Sequence, residues 1–213
     1  MKKSTTTTTT KTTRADIENI VIGGIGAAGS NTFLHLLYAY PALNYTVIDF
    51  DKVEGRNVDP GTQPYTKIDL NRPKTQALQR IALALKNKRI EAINKKVTSP
   101  KDIELLSKDP AKTIYIDAFD NAESRNLFLG MKKRNVLHIG FSANLTGEAV
   151  WDGVFTPMEA SKNDNAIDVC EMAIARPYIF ALTAMAVIVI DRFIEKSEKV
   201  NLYFDSTLNI KRF

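Results

Sequence analysis

Two stretches of the chain combine residue types and spacings that suit phosphate chemistry. In the first, Ile20-Val21-Ile22 runs into a glycine-rich turn whose spaced glycines, Gly24, Gly26 and Gly29, form a G-x-G-x-x-G. The first glycine of such a loop permits the tight turn. The second lets a pyrophosphate approach the backbone, and the third lets the following helix pack on its strand. That helix N-terminus offers free N–H groups and a positive dipole end. Taken alone, the pattern also fits a tight turn in any α/β protein. In the second stretch, residues 45–48 read as a strand that ends on Asp49, with Asp51 beyond Phe50. An acid at the end of a second strand binds ribose hydroxyls. A hydride-transfer site needs only the first acid, so the second asks for another explanation.

Further candidates lie downstream. Lys74 follows Arg72-Pro73. Asp120 and Asn121 end the run Asp117-Ala118-Phe119-Asp120-Asn121, with Arg125 beyond, and Asn57 sits in a loop rich in turn formers. Each has a plainer reading: Lys74 as a solvated first-turn lysine, Asp120-Asn121 as a helix N-cap, and Asn57 as a turn residue. His35 and His138 flank no acid or second histidine in sequence and read as structural. Cys170 is the sole cysteine; it reads equally as a thiolate at a helix N-terminus or as a small buried residue.

The elements that must position these groups alternate. A helix with apolar positions Phe33, Leu34, Leu37 and Tyr38 follows the glycine turn. Another starts around Arg72-Pro73 and spaces Ala77, Leu78, Ile81 and Leu85 by three and four. Residues 90–97, 113–117 and 136–140 read as strands, and 99–106 and 121–134 as helices. The expected fold is α/β: a Rossmann-like, doubly wound, mostly parallel sheet. Antiparallel strands are added in the C-terminal part, from 148–155 and from a hairpin of 200–204 and 208–213. Residues 156–169 read as a polar crossover and 177–194 as a fully buried helix. Ligands of such sheets sit beyond the strand carboxyl ends, where Gly24, Asp49, Asp51 and Asp120 converge.

Composition limits the alternatives. At 213 residues the chain suits one domain, 15–213, behind a Thr-rich basic tail, 1–14, that is too polar to order itself and lacks the apolar core of a signal peptide. One cysteine excludes an internal disulfide framework and suits a reducing, cytoplasmic setting. The charge of +5 is modest. Lys86, Lys88, Arg89, Lys95 and Lys96 read as solvated faces with no interleaved aromatics, which argues against nucleic acid. The apolar run 179–190 is shorter than the roughly 20 residues of a membrane span.

The ordered set of glycine loop, Asp49-Phe50-Asp51 with Asn57, Arg72-Pro73-Lys74 and Asp117-to-Asn121 with Arg125 resembles the ThiF/MoeB-type adenylyltransferases, over about residues 17–195. That resemblance implies ATP and Mg2+ as cofactors and adenylation of the C-terminal carboxylate of a ubiquitin-like or sulfur-carrier protein ending in Gly-Gly. It also implies a homodimer. By the same resemblance Lys74 contacts phosphate, Asp120 associates with the metal, Asp49, Asp51, Asn57 and Asn121 line the nucleotide, and Cys170 stands where several members carry a reactive cysteine. Two departures matter. The family follows its loop asparagine with an arginine-glutamine pair, but here Asn57 precedes Val58-Asp59, leaving Arg56 and Arg72 as the replacement cations. There is no C-x-x-C pair, so no structural zinc is expected. The alternatives are a catalytically weak nucleotide-binding partner subunit and an NAD(P)-dependent oxidoreductase.

Overall fold

The computed structural model describes residues 14–59, 61–131, 134–155 and 172–213. Its centre is β1 (Asn19–Gly23), a short apolar run flanked by parallel strands on both sides. Ile20 and Ile22 face one hydrophobic cluster and Val21 the other, the two-residue alternation of a strand covered on both faces. β2 (Asn44–Asp49) and β4 (Thr113–Asp117) are its neighbours, β3 (Glu91–Asn94) lies outside β2, and β5 (Asn135–Phe141) lies outside β4. β6 (Gly147–Trp151), β7 (Leu202–Phe204) and β8 (Ile210–Arg212) continue the sheet antiparallel. The order is β3-β2-β1-β4-β5-β6-β7-β8. It reverses between β1 and β4, the switch point where open α/β sheets form a crevice.

Three helices cover one face. α1 (Ala27–Ala39) buries Phe33, Leu36 and Leu37, and α3 (Lys74–Lys86) buries Ala77, Leu78, Ile81 and Ala82. Phe33 meets Tyr45 edge-on, with ring centroids 5.5 Å apart. α6 (Ala175–Lys196) packs along α1 and over β5 and β6. Its buried positions, Ile179, Leu182, Met185, Ala186, Val189, Ile190 and Phe193, follow helical spacing, as one apolar stripe requires. The expectation of a helix buried all round is corrected: Ile188 is exposed on the opposite side. By length and composition α6 is the one helix among the described residues that could cross a membrane, and half of its most apolar window is buried against the sheet and α1. α4 (Pro100–Glu104) and α5 (Ala122–Leu129) cover the other face.

Several boundaries differ from the sequence reading. β3 has four residues because it is an edge strand held by β2 alone. α5 stops at Leu129, where a Cβ on Gly130 would stand 2.9 Å from Pro100. β6 ends at Trp151 in a turn. Leu85 is exposed, and Ala82 takes its place in the buried stripe of α3. Tyr38 is exposed too, with the Lys86 ammonium 4.0 Å above its ring. Lys95 and Lys96 pair with Asp102 and Glu123. Arg14, assigned to the tail by the sequence, lies 3.2 Å from Glu195.

Candidate functional site

The glycine turn is locked between its two neighbouring strands. The Gly24 N–H donates to the Ile48 carbonyl at 3.0 Å, and the Ala118 N–H donates to the Gly23 carbonyl at 2.9 Å. Gly24 has φ +77°, and a Cβ there would stand 2.7 Å from the Phe119 nitrogen. A Cβ on Gly29 would fall 1.9 Å from the Gly24 carbonyl oxygen. Both positions need glycine for the fold itself. Gly26 differs: a Cβ there meets nothing within 4 Å. Gly26 is also the N-cap of α1, which has no capping side chain and no acid in its first turn. An open glycine at an uncapped, long-helix N-terminus is a cradle that fits a phosphate.

Asp49 closes β2 and is buried at 5% exposure. Its Oδ2 accepts from the Ile25 N–H at 2.9 Å, and its Oδ1 accepts from the Asp51 N–H at 2.8 Å. Burial pushes its carboxyl above the usual carboxylate range, against the opposing pull of Lys74 and those two backbone donors. Asp49 therefore ties the glycine turn to the second acid. Asp51 reaches Lys74, whose Nζ stands 3.0 Å from its Oδ2. The pair forms because residues 51–53 run antiparallel to 71–74. Val53 N–H donates to Arg72 O, Asn71 N–H to Val53 O and Lys74 N–H to Asp51 O, around a bridge between Lys52 and Pro73. Lys74 opens α3 and is buried at 8% exposure, so it is not the solvated first-turn lysine of the plainer reading. The exposed ring of Phe50 stands between the two acids.

The third strand end supplies Asp120, exposed on the turn between β4 and α5. Asn121 next to it caps α5, its Oδ1 accepting from the Ser124 N–H at 2.8 Å. Among the described residues, no group of three His, Cys, Asp or Glu side chains stands together as a ready metal cage. Magnesium does not need one, since it binds through one or two carboxylates plus phosphate oxygens and water. A single exposed carboxylate beside a phosphate cradle fits that mode.

Glycine turn, Asp49, Asp51 and Lys74 are thus joined by direct contacts, with Asp120 on the adjoining turn. Other candidates are not brought in by their side-chain contacts. Asn57 is buried and its Oδ1 accepts from the Glu54 N–H at 2.8 Å. It closes the capping box of α2 (Gly55–Val58), a short helix inside the expected loop whose N-cap is Glu54. Arg56 pairs with Glu54 at 2.8 Å. The Arg72 side chain is exposed, and its backbone makes the pairing with Val53. Cys170 lies outside the described residues.

Sequence reasoning missed two buried contacts close to these strand ends. Tyr65 is buried and its hydroxyl donates to the Ile25 carbonyl at 2.7 Å, supporting the glycine turn from below. His138 was read as flanking no acid. In the fold it pairs with Asp117 on the adjoining strand, Nδ1 to Oδ2 at 2.8 Å. The signal was strand register, which the separation of 138 from 117 in sequence does not display.

The reversal of strand order and the strand ends around it define a doubly wound α/β domain with its candidate residues gathered at the switch point. The chain belongs to the ThiF family, whose model matches residues 8–171. No curated protein sequence matches it. Among solved structures it is similar to selenomethionine PaaA, with a TM-score of 0.70 and 18% identity over 94% of this chain and 64% of that one. It is also similar to E. coli MccB with ATP, with a TM-score of 0.66 and 16% identity over 93% of this chain and 64% of that one. The microcin C7 biosynthetic enzyme MccB in complex with N-formylated MccA gives a TM-score of 0.67 and 15% identity, covering 93% of this chain and 65% of MccB. The chain therefore spans a little under two thirds of the length of these neighbours.

Proposed function

We propose that this domain binds ATP with Mg2+ and transfers AMP to the C-terminal carboxylate of a protein or peptide. One observation carries the reading: in a chain of the ThiF family, the open face of Gly26, the Asp49–Asp51–Lys74 chain and Asp120 come from the ends of β1, β2 and β4 around one switch point. The carboxylate attacks the α-phosphate and pyrophosphate leaves. Negative charge accumulates on phosphate oxygens as it does so, and groups already aimed at them accelerate the step. Lys74 supplies the ammonium. The amides at the start of α1 hold the phosphate chain, Asp49 and Asp51 face the ribose, and Asp120 holds the metal. Magnesium supplies charge neutralisation on the phosphate oxygens.

The proposed substrate is a ubiquitin-like or sulfur-carrier protein ending in Gly-Gly, and the proposed state is a cytoplasmic homodimer. The structures of MccB with ATP and with N-formylated MccA support a nucleotide and a peptide partner at the level of fold. Cys170 is proposed as a thiolate that takes the acyl group from the adenylate, forming a thioester and releasing AMP. A second reading, a nucleotide-binding partner subunit without turnover, is favoured by the pairing of Arg56 with Glu54. ATP–pyrophosphate exchange separates the two. Exchange that requires a carrier with an intact Gly-Gly end supports adenylation. Mg-ATP binding without exchange, against a panel of such carriers, supports the partner subunit. Binding of NAD or NADP in preference to ATP defeats both.

A further inference from the structure

Beneath the turn that carries Asp120 lies a buried polar cluster that contributes nothing to the proposed nucleotide contacts. Asp117 ends β4, and His138 stands opposite it on β5. Both side chains are fully buried. The Asp117 carboxylate accepts, so His138 Nδ1 carries a proton in their 2.8 Å bond. His138 Nε2 is buried with no hydrogen-bond partner among the described residues. Among the described residues the imidazole therefore hydrogen-bonds to Asp117 alone. Its ring is stacked on Phe155, with centroids 4.2 Å apart.

The cluster grips one peptide unit after another. Asp117 Oδ1 accepts from the Phe119 N–H at 3.2 Å. Arg125, on α5, has Nε 3.4 Å from Asp117 Oδ2 and donates from Nη1 to the Phe119 carbonyl and from Nη2 to the Ile139 carbonyl, each at 3.3 Å. Phe119 is thus held at its N–H by Asp117 and at its carbonyl by Arg125, one residue before Asp120. Asp120 cannot orient itself. It is exposed, and the Asn121 amide reaches its carboxylate only at 3.4 Å. Its direction must come from the backbone. Among the described residues, Glu148 on β6 is the remaining charged group facing the cluster; burial raises its carboxyl, while Arg125 and His138 pull it down.

We infer that His138 is a positioning residue for Asp120, acting through Asp117 and the Phe119 peptide. The inference rests on the proposed role of Asp120 at the metal. Without the Nδ1–H donor, a fully buried carboxylate loses its shortest partner, and the grip on Phe119 loosens.

The test uses the full chain and two polar variants. An asparagine amide occupies the place of Nδ1, whereas a glutamine amide occupies that of Nε2, so His138→Asn keeps the donor and His138→Gln moves it. Hydrogen–deuterium exchange is followed over residues 117–125, and half-saturating Mg2+ is measured in the exchange assay. His138→Asn is expected within about twofold of wild type in both. His138→Gln is expected to exchange on the order of tenfold faster in that segment, with β1 and β2 unchanged and half-saturating Mg2+ raised by a similar factor. Equal behaviour of the two variants overturns the inference, as does loosening of the whole sheet by His138→Gln. If His138→Gln does not fold, nitrogen-15 NMR of the wild-type histidine decides: protection of the Nδ1 proton that tracks the Phe119 amide supports it, and independent rates overturn it. If the wild-type chain shows no pyrophosphate exchange, the adenylation reading fails, while the hydrogen-exchange comparison still tests the grip on Phe119.

Discussion

Gly26→Ala and Gly29→Ala should separate the ligand from the fold. The two glycines lie three residues apart in one loop, yet a Cβ meets nothing within 4 Å at Gly26 and a backbone oxygen at 1.9 Å at Gly29. Gly29→Ala must shift the Gly24 carbonyl, so it should lose more than about 3 kcal/mol, the upper range for overpacking. For a chain of this size that lowers the melting temperature by at least about 6 °C. Gly26→Ala adds no clash and weakens an N-cap, a loss of less than about 1 kcal/mol. Its effect should appear with ligand. Mg-ATP at a hundredfold excess over Kd stabilises the wild type by about 2.7 kcal/mol, a rise of about 5–11 °C. A methyl group where the phosphate rests should remove most of that rise. The assay is a thermal melt of each variant with and without Mg-ATP. A full nucleotide shift in Gly26→Ala, or an apo melting temperature as low as that of Gly29→Ala, refutes the assignment of the open face to phosphate.

Other expectations follow from single contacts. Lys74→Ala removes the ammonium 3.0 Å from the half-exposed Asp51; pyrophosphate exchange should fall at least about 100-fold, against about 1–3 kcal/mol in a urea melt. Asp120→Ala should abolish magnesium-dependent exchange with an unchanged melting temperature, because the side chain is exposed; retained exchange removes it from the metal site. Burial pushes Asp69 up, but its hydrogen bonds from Arg80 and Thr66 outweigh this and hold it below the ordinary range. A folded pKa below the unfolded one gives stability that is present above the unfolded value and lost as pH falls through the folded value. Asp69→Asn should therefore lose stability at pH 7 and approach wild type as pH falls below the ordinary carboxylate range, measured by urea melts from neutral into acid.

The sequence displayed the site where chemistry and chain order coincide. Glycine spacing after an apolar triplet marked the turn, and acids after apolar runs marked strand ends, because a strand buried on both faces must be apolar until it leaves the sheet. What depends on pairing between distant segments was not displayed. The explanation for Asp51 is Lys74, and their contact arises from backbone bonds between residues 51–53 and 71–74. His138 gained its acid only through the register of β4 with β5. The cap that Asn57 makes at α2 is likewise a matter of local backbone geometry that its residue type does not display. The apolar run within α6 suggested burial all round, since composition does not report that one side of the helix meets no neighbour among the described residues.

The most direct measurement is a crystal structure of the full chain with Mg2+ and a non-hydrolysable ATP analogue. The account predicts the triphosphate against Gly26 and the first amides of α1, the ribose at Asp49 and Asp51, Lys74 Nζ on a phosphate oxygen and the metal beside Asp120. A nucleotide bound away from the β1–β4 switch point, or with its adenine rather than its phosphates at Gly26, would contradict it.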